Sequence, residues 1–492
     1  MDSKEAAGSP EGLRTIIIGA GMAGLLAAIK LKERGETDFT IYEKGDSVGG
    51  TWRENTYPGL SCDTPAHAYS YSFALNPDWS AVYAPGPEIK AYFEGVARRY
   101  DLYPAIRFNS EIESAEWHGD KWHIRTKDGQ SDSAHVLIAA TGVLHHPSLP
   151  DIPGLSDFEG ACFHSARWDH SVPLDGKRIG VIGTGSTGVQ IVSALAKRAA
   201  RLVHFQRSPQ WIMPCPDTRY SEADKQAFRE DAENIWQVRN GPEAAARRAR
   251  FTNAIIDIDS PELAEIQQIV ERNLEESVRD PALKQKLTPN YRAACKRMIF
   301  SPNYYRSVQE PAVYLENQPI ERIEAKGVRM ADGTLHELDV LALATGFKVD
   351  QFVRPIKIRG QGGLDLDTFW QAGPRAYYAV TVPNFPNMLL FNGPTGPVGN
   401  FSLIDIAEHQ WRYFDQLIDL VRAGKCKAFA PSEAALVDYE ARRNERAKKT
   451  VFASGCHSWY LDKNGVPQVW PWSWDHFTEV MSAPKIEDYV LA

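Results

Sequence analysis

A chain of 492 residues is too long for one hydrophobic core and implies two or three packed units. With 43% hydrophobic and 24% charged residues, a net charge of -8 and a pI near 6.0, it is an ordinary globular composition. That balance argues against a nucleic-acid or anionic-membrane surface and points to small-molecule partners.

In chain order, TIIIGAGMAGLLAAIKLKERG predicts a buried strand, a turn carrying Gly19, Gly21 and Gly24, and an amphipathic helix closed by Gly35. Such glycines give a tight turn, a close approach of backbone to pyrophosphate, and tight packing of helix on strand. The helix N-terminus then offers free N–H groups and partial positive charge to phosphates. FTIYEK adds a second strand ending in Glu43, about 20 residues on, where a carboxylate can accept both hydroxyls of a ribose. An acidic residue there favours a ribose without a 2′-phosphate, as in the adenosine half of FAD. The following stretch, 49–73, is rich in aromatic residues and glycine, and KWHIRTKDG predicts a β-hairpin. HVLIAATGVLHHPSLPDIPG reads as an apolar strand broken by Thr141-Gly142 and then by prolines, a stiff connection between units. His145 and His146 lie in it without a carboxylate or thiol at metal spacing, and read as solvated loop residues.

FEGACFHSARWD follows, and then KRIGVIGTGSTGVQIVSALAKRA repeats the strand-turn-helix plan with Gly183, Thr184, Gly185, Ser186 and Gly188. Two such units imply two dinucleotides. Where the first unit has Glu43, the second has Arg207-Ser208; a guanidinium and a hydroxyl suit a 2′-phosphate, so NADPH is favoured over NADH. From about Tyr220 to Leu287 the chain turns charged, with helical spacing in EADKQAFREDAENIWQVR and PELAEIQQIVERNLEES, and reads as an insertion that roofs the site. ELDVLALATGF predicts another buried strand, VPNFPNMLLFNGP a strand returning to the first unit, and 405–420 a helix.

Phe158, Gly160, His164, Trp168 and Asp169 fit F-x-G-x-x-x-H-x-x-x-W-[P/D], and on that pattern the chain resembles the type I Baeyer-Villiger monooxygenases. His164 and Trp168, four apart, would share a face if locally helical; the stretch is either an interdomain hinge or takes a direct part in the chemistry. The resemblance implies an α/β fold with two Rossmann-like domains, for FAD and NADP, and a helical insertion. It would divide the chain into an FAD domain from 1–145 and 379–492, an NADP domain from 155–212 and 293–378, and an insertion at 213–292. It implies flavin contacts from Gly50, Thr51, Trp52, Asp63 and Tyr69, with Arg297 reaching the flavin, oriented by Asp63, and Lys296 reaching the NADP phosphate. Trp459 would meet substrate and nicotinamide, although Gly465-Val466-Pro467 departs from the usual Gly-Arg-Asn nearby. The implied activity is NADPH- and O2-dependent conversion of a ketone to an ester or lactone through a C4a-peroxyflavin.

An N- or S-oxygenating flavin monooxygenase would share both glycine turns, but Trp168-Asp169 and Arg297 speak against it. A disulfide reductase would need a redox partner for Cys62, and a nucleotide sensor would bind both cofactors without consuming O2. The cysteines Cys62, Cys162, Cys215, Cys295, Cys426 and Cys456 contain no C-x-x-C pair, so reduced thiols are expected, with no metal site and no disulfide framework. MDSKEAAGSPEGLR has no apolar core of signal-peptide length, and no apolar run is long enough to span a bilayer, so a cytoplasmic location and no membrane span are expected.

Overall fold

The computed structural model describes residues 12–397, 399 and 401–492. Its first sheet is parallel throughout, in the order Met388–Leu390, Val136–Ala139, Thr15–Ile18, Phe39–Tyr42, Ile106–Arg107. Thr15–Ile18 pairs in register with both neighbours and is buried along its length, as a continuous apolar run in a covered parallel sheet should be. The chain leaves this strand toward one side and returns on the other, so the carboxyl end of Thr15–Ile18 is the switch point where a ligand crevice forms. The Gly19 turn lies there.

The second sheet is built the same way, in the order Val313–Glu316, Arg201–Phe205, Arg178–Ile182, Val340–Leu343, Ala161–His164, again all parallel. The Gly183 turn follows its central strand. The fingerprint is not helical: Ala161–His164 is an edge strand paired with Val340–Leu343, and Ser165–Arg167 is one 3-10 turn. The ladder to the return strand outweighs any local helical tendency, and His164 and Trp168 therefore flank a turn instead of sharing a helical face.

The predicted hairpin is present as Lys121–Thr126 and Ser131–Ala134, extended by Ile112–His118 and by Lys357–Arg359. The chain has thus returned to the first unit's side by residue 357. A three-stranded meander, Ile320–Glu324, Gly327–Met330 and Leu335–Glu337, has no counterpart in the sequence reading. Leu403–Arg422 packs on Met22–Glu33 and shares one hydrophobic core with it, so both ends of the chain build the first unit.

Five helices form the insertion: Glu222–Glu230, Ala232–Asn240, Pro242–Ile256, Pro261–Ser277 and Pro281–Leu287. The first predicted helix is split because the Asp231 side chain accepts from Glu233 N and so caps a new one. Arg239, buried in the second of these, donates to the carbonyls of His67 (2.9 Å) and Ser70 and pairs with Asp405, fastening the insertion to the first unit.

Candidate active site

The two glycine turns have the same construction. A Cβ at Gly24 would overlap the Gly19 carbonyl and one at Gly188 the Gly183 carbonyl, so in each unit the helix must carry glycine to sit on its own turn. The helices Met22–Glu33 and Ser186–Leu195 begin at Gly21 and Gly185, with neither a side-chain cap nor an acidic residue in the first turn. Glu43 stands at the end of its strand, but its carboxylate is more committed than its position suggested. Oε1 meets Gly45 N and Arg53 Nη1, each at 2.8 Å, and Oε2 accepts from Ala20 N at 2.8 Å. That leaves Oε2 the freer oxygen for a ribose hydroxyl.

Beyond Gly50, the short helix Thr51–Glu54 turns Trp52 inward, where its indole N–H donates to the Tyr69 hydroxyl at 3.2 Å and the two rings meet edge to face. The 57–61 stretch then docks on the second unit: the Tyr57 hydroxyl donates to Gln190 Oε1 at 2.8 Å, and Gln190 donates back to the Ser61 carbonyl at 3.0 Å. Asp63 follows. Its Oδ2 accepts from Arg297 Nη2 at 2.7 Å and from Nε at 3.2 Å, joining residues 234 apart in the chain. The neighbouring Asp63 charge, with the Tyr460 phenol adding to it against the effect of burial, holds the Arg297 pKa well above its ordinary value. Arg297 is therefore a permanent cation.

Sequence reasoning missed Tyr460 in this cluster, because a tyrosine in an aromatic tail carries no spacing signal. Trp459 beside it is 42% exposed, its ring centroid 4.0 Å from that of Tyr460. The divergent Gly465-Val466-Pro467 lies in a turn that Asp462 closes by accepting from Val466 N and Asn464 N, both at 2.8 Å, while Arg443 holds the Pro467 carbonyl at 2.7 Å.

Lys296 and Arg207 converge. Lys296 lies over the Tyr291 ring at 4.3 Å, and burial followed by the nearby Arg207 charge lowers its pKa. Tyr291, also missed, holds the loop after Arg207 by donating to the Pro209 carbonyl and Gln210 Oε1, and the Thr184 hydroxyl donates to the Ser208 carbonyl.

The fingerprint grips the connections between units. His164 Nε2 donates to the Gly346 carbonyl at 3.0 Å, and Nδ1 accepts from Ala166 N at 3.1 Å. With both ring nitrogens occupied and burial lowering its pKa, His164 is a neutral fastening. Phe158 is buried, Trp168 is buried edge-on against Phe163, a Cβ at Gly160 would overlap the Asp339 carbonyl, and Asp169 is an exposed turn residue bound to Ser171. Around Gly346, two strands of linker run side by side: Ser148 N donates to the Gly346 carbonyl, and His145 and His146 meet the carbonyls of Phe352 and Arg354. These two histidines are clasps in a partly buried linker, not solvated loop residues. Among the described residues no cluster of metal-binding side chains occurs.

The cysteine expectation requires correction. Cys295 and Cys456, separated by 161 residues, form a disulfide that the fold brings together and spacing could not reveal. Cys62, Cys162, Cys215 and Cys426 are free, and burial pushes the Cys62 thiol up to about 12.

The chain matches the family model described as pyridine nucleotide-disulphide oxidoreductase over residues 16–268. A curated Baeyer-Villiger monooxygenase of Streptomyces coelicolor is 38% identical, covering 97% of this chain and 92% of its own. The chain belongs to the Baeyer-Villiger monooxygenase family. An uncharacterised monooxygenase of Mycobacterium tuberculosis is 44% identical over 96% of this chain and 95% of its own. Cyclohexanone monooxygenase from Rhodococcus, solved with NADP+, superposes with a TM-score of 0.86 at 30% identity, covering 98% of this chain and 99% of that one. OTEMO, solved with FAD and NADP, gives 0.88 at 26% identity, with 98% and 99% covered. As a Baeyer-Villiger family member, the protein is a flavin monooxygenase. Among the described residues Cys62 is a free cysteine with no disulfide partner. No helix among the described residues is long and apolar enough to cross a membrane.

Proposed function

We propose that the protein uses NADPH and O2 to convert a ketone to an ester or lactone, with water as the second product. FAD binds at the Gly19–Gly24 turn and NADPH at the Gly183–Gly188 turn. The local structure fits both groups: each helix presents an uncapped N-terminus to a diphosphate. A Cβ at Gly185 would meet no protein atom within 4 Å, so packing does not demand glycine there and close approach of a phosphate does. Arg207 and Lys296 read the 2′-phosphate, held apart from carboxylates and steadied by Tyr291.

The bound flavin supplies oxygen activation. The chain's own residues set the field in which oxygen is transferred. The observation that carries this reading is the Arg297–Asp63 pair, since a fixed cation stabilises negative charge on the reacting oxygen atoms without reorganising at the moment of reaction. Asp63 takes up the Nε and Nη2 edge of the guanidinium and so holds the cation at the site. The fingerprint, through His164, sets how the two units approach each other and takes no proton.

The test is ketone-dependent NADPH oxidation by the FAD-loaded protein across linear, cyclic and aryl ketones, with product masses. Products one oxygen atom heavier than the ketone, of ester or lactone structure, are expected. Oxygenation of amines or sulfides alone, or NADPH consumption that yields only hydrogen peroxide with every ketone, would overturn the proposal.

A further inference from the structure

Asp63 accounts for one edge of the Arg297 guanidinium, and beside the other lies a residue that no motif announces. The Tyr460 phenol comes in beside Arg297, its hydroxyl and the guanidinium both lying against Gly399, so a carboxylate from the flavin-side loop and a phenol from the C-terminal tail both neighbour the cation. Tyr460 is itself buried, its ring packed between Phe452 at 4.5 Å and Trp459 at 4.0 Å. The backbone makes room for the hydroxyl: a Cβ at Gly399 would overlap the Tyr460 hydroxyl oxygen and lie 3.5 Å from Arg297 Nη1. The two segments are also joined covalently, since Cys295 lies two residues before Arg297 and Cys456 four before Tyr460. Ser454 donates to Cys295 Sγ at 3.1 Å across the same junction.

We infer that Tyr460 is a positioning residue for Arg297, its hydroxyl fixing the Nη1 edge of the guanidinium in the orientation that oxygen transfer requires. A charged donor with one partner can still rotate about its long side chain; a second partner on the opposite edge removes that freedom. Burial and the Arg297 charge oppose one another on the phenol, burial being the larger, so Tyr460 remains a neutral hydroxyl that can accept from the cation and still donate. It also couples the catalytic arginine to the loop that carries Trp459.

The inference rests on the Baeyer-Villiger reading for its kinetic arm, and a second arm is independent of activity. Tyr460→Phe keeps the ring and removes one oxygen atom. With FAD content, NADPH-dependent flavin reduction and KM for ketone close to wild type, kcat for ester formation should fall about tenfold, with the lost NADPH recovered as hydrogen peroxide. Wild-type kcat and coupling in Tyr460→Phe would overturn the inference, as would loss of FAD binding, which would make Tyr460 a packing residue. In the second arm, thermal unfolding of the FAD-loaded protein is measured for Tyr460→Phe, Arg297→Met and the double variant. A hydrogen bond between the two predicts that the double variant loses less Tm than the sum of the singles, and strict additivity would overturn it. If the wild type oxidises no ketone but the Tm losses are non-additive, the proposed reaction fails and the placement of Tyr460 on Arg297 stands.

Discussion

At the scale of single residues the site is decided by which charges find partners. Arg297 has one in Asp63, so Arg297→Ala removes a fixed cation and leaves a carboxylate at 19% exposure facing nothing. The FAD site proposed at the Gly19 turn is untouched, and the variant should stay yellow while ketone oxidation falls by about 10² to 10³. Arg297→Lys keeps the charge and loses the fork that meets Asp63 through two nitrogens, so partial activity is expected; visible absorbance and product formation read both effects. Arg207 and Lys296 have the opposite condition, with no carboxylate partner among the described residues. Arg207→Ala should raise KM for NADPH by the loss of a charged hydrogen bond, about 1.5 to 3 kcal/mol, and leave KM for NADH little changed. Equal effects on both coenzymes would remove Arg207 from the 2′-phosphate. These residues were legible because their chemistry is tied to motif positions. Tyr291 and Tyr460 were not, since each meets a group distant in the chain, Pro209 and Gln210 for Tyr291 and Arg297 for Tyr460, and no spacing signals such a meeting.

At the scale of elements, both glycine turns and their strands were readable because a parallel strand buried on two faces must be a continuous apolar run. The Ile320–Glu324 meander escaped because its strands are short and carry charges at Glu321, Arg322, Glu324 and Arg329 that face outward or pair with each other. The role of the fingerprint was left between hinge and chemistry by the sequence, and the geometry favours the hinge: His164 holds Gly346, where the two linkers meet. His164→Ala should bind FAD and be reduced by NADPH, yet release more hydrogen peroxide per NADPH because the units close less well. Normal coupling in that variant would leave the fingerprint as packing alone. The Cys295–Cys456 link belongs to this scale too, tying the Arg297 segment to the tail across 161 residues. Non-reducing peptide mapping should recover the two segments joined, and dithiothreitol should lower Tm, since a cross-link closing a long loop contributes about 2 to 4 kcal/mol. Recovery of both as free thiols would return them to the reduced state that their spacing suggested.

At the scale of the whole molecule, buried histidines set the response to acid. Burial pushes His67, His145, His204 and His409 each down to about 4. They come from both units and from the linker between them. In the unfolded chain such groups titrate near 6.5, so below that pH the unfolded state binds more protons than the folded one. Their contribution to stability is complete above about 6.5 and is lost as pH falls toward 4. For His204, with no exposed surface, the full loss is on the order of 3 kcal/mol. Its Nε2 donates to the Gly183 carbonyl at 2.9 Å and its Nδ1 faces the Tyr304 hydroxyl at 3.2 Å, so protonation also disturbs the second nucleotide turn. Asp405 acts in the other direction: burial raises it to about 6, and its contribution is present below its unfolded value near 3.8 and lost as pH rises through 6. Four groups against one give a net loss, so Tm should be nearly flat above pH 7 and fall between 6.5 and 4. His67 isolates one share of that slope, because its ring packs on Phe228 and Tyr220 and neither ring nitrogen has a hydrogen-bond partner among the described residues. His67→Phe should therefore flatten the profile in that window without lowering Tm at pH 8, and a wild-type profile already flat from pH 7 to 4 would show that these histidines do not stay neutral in the fold.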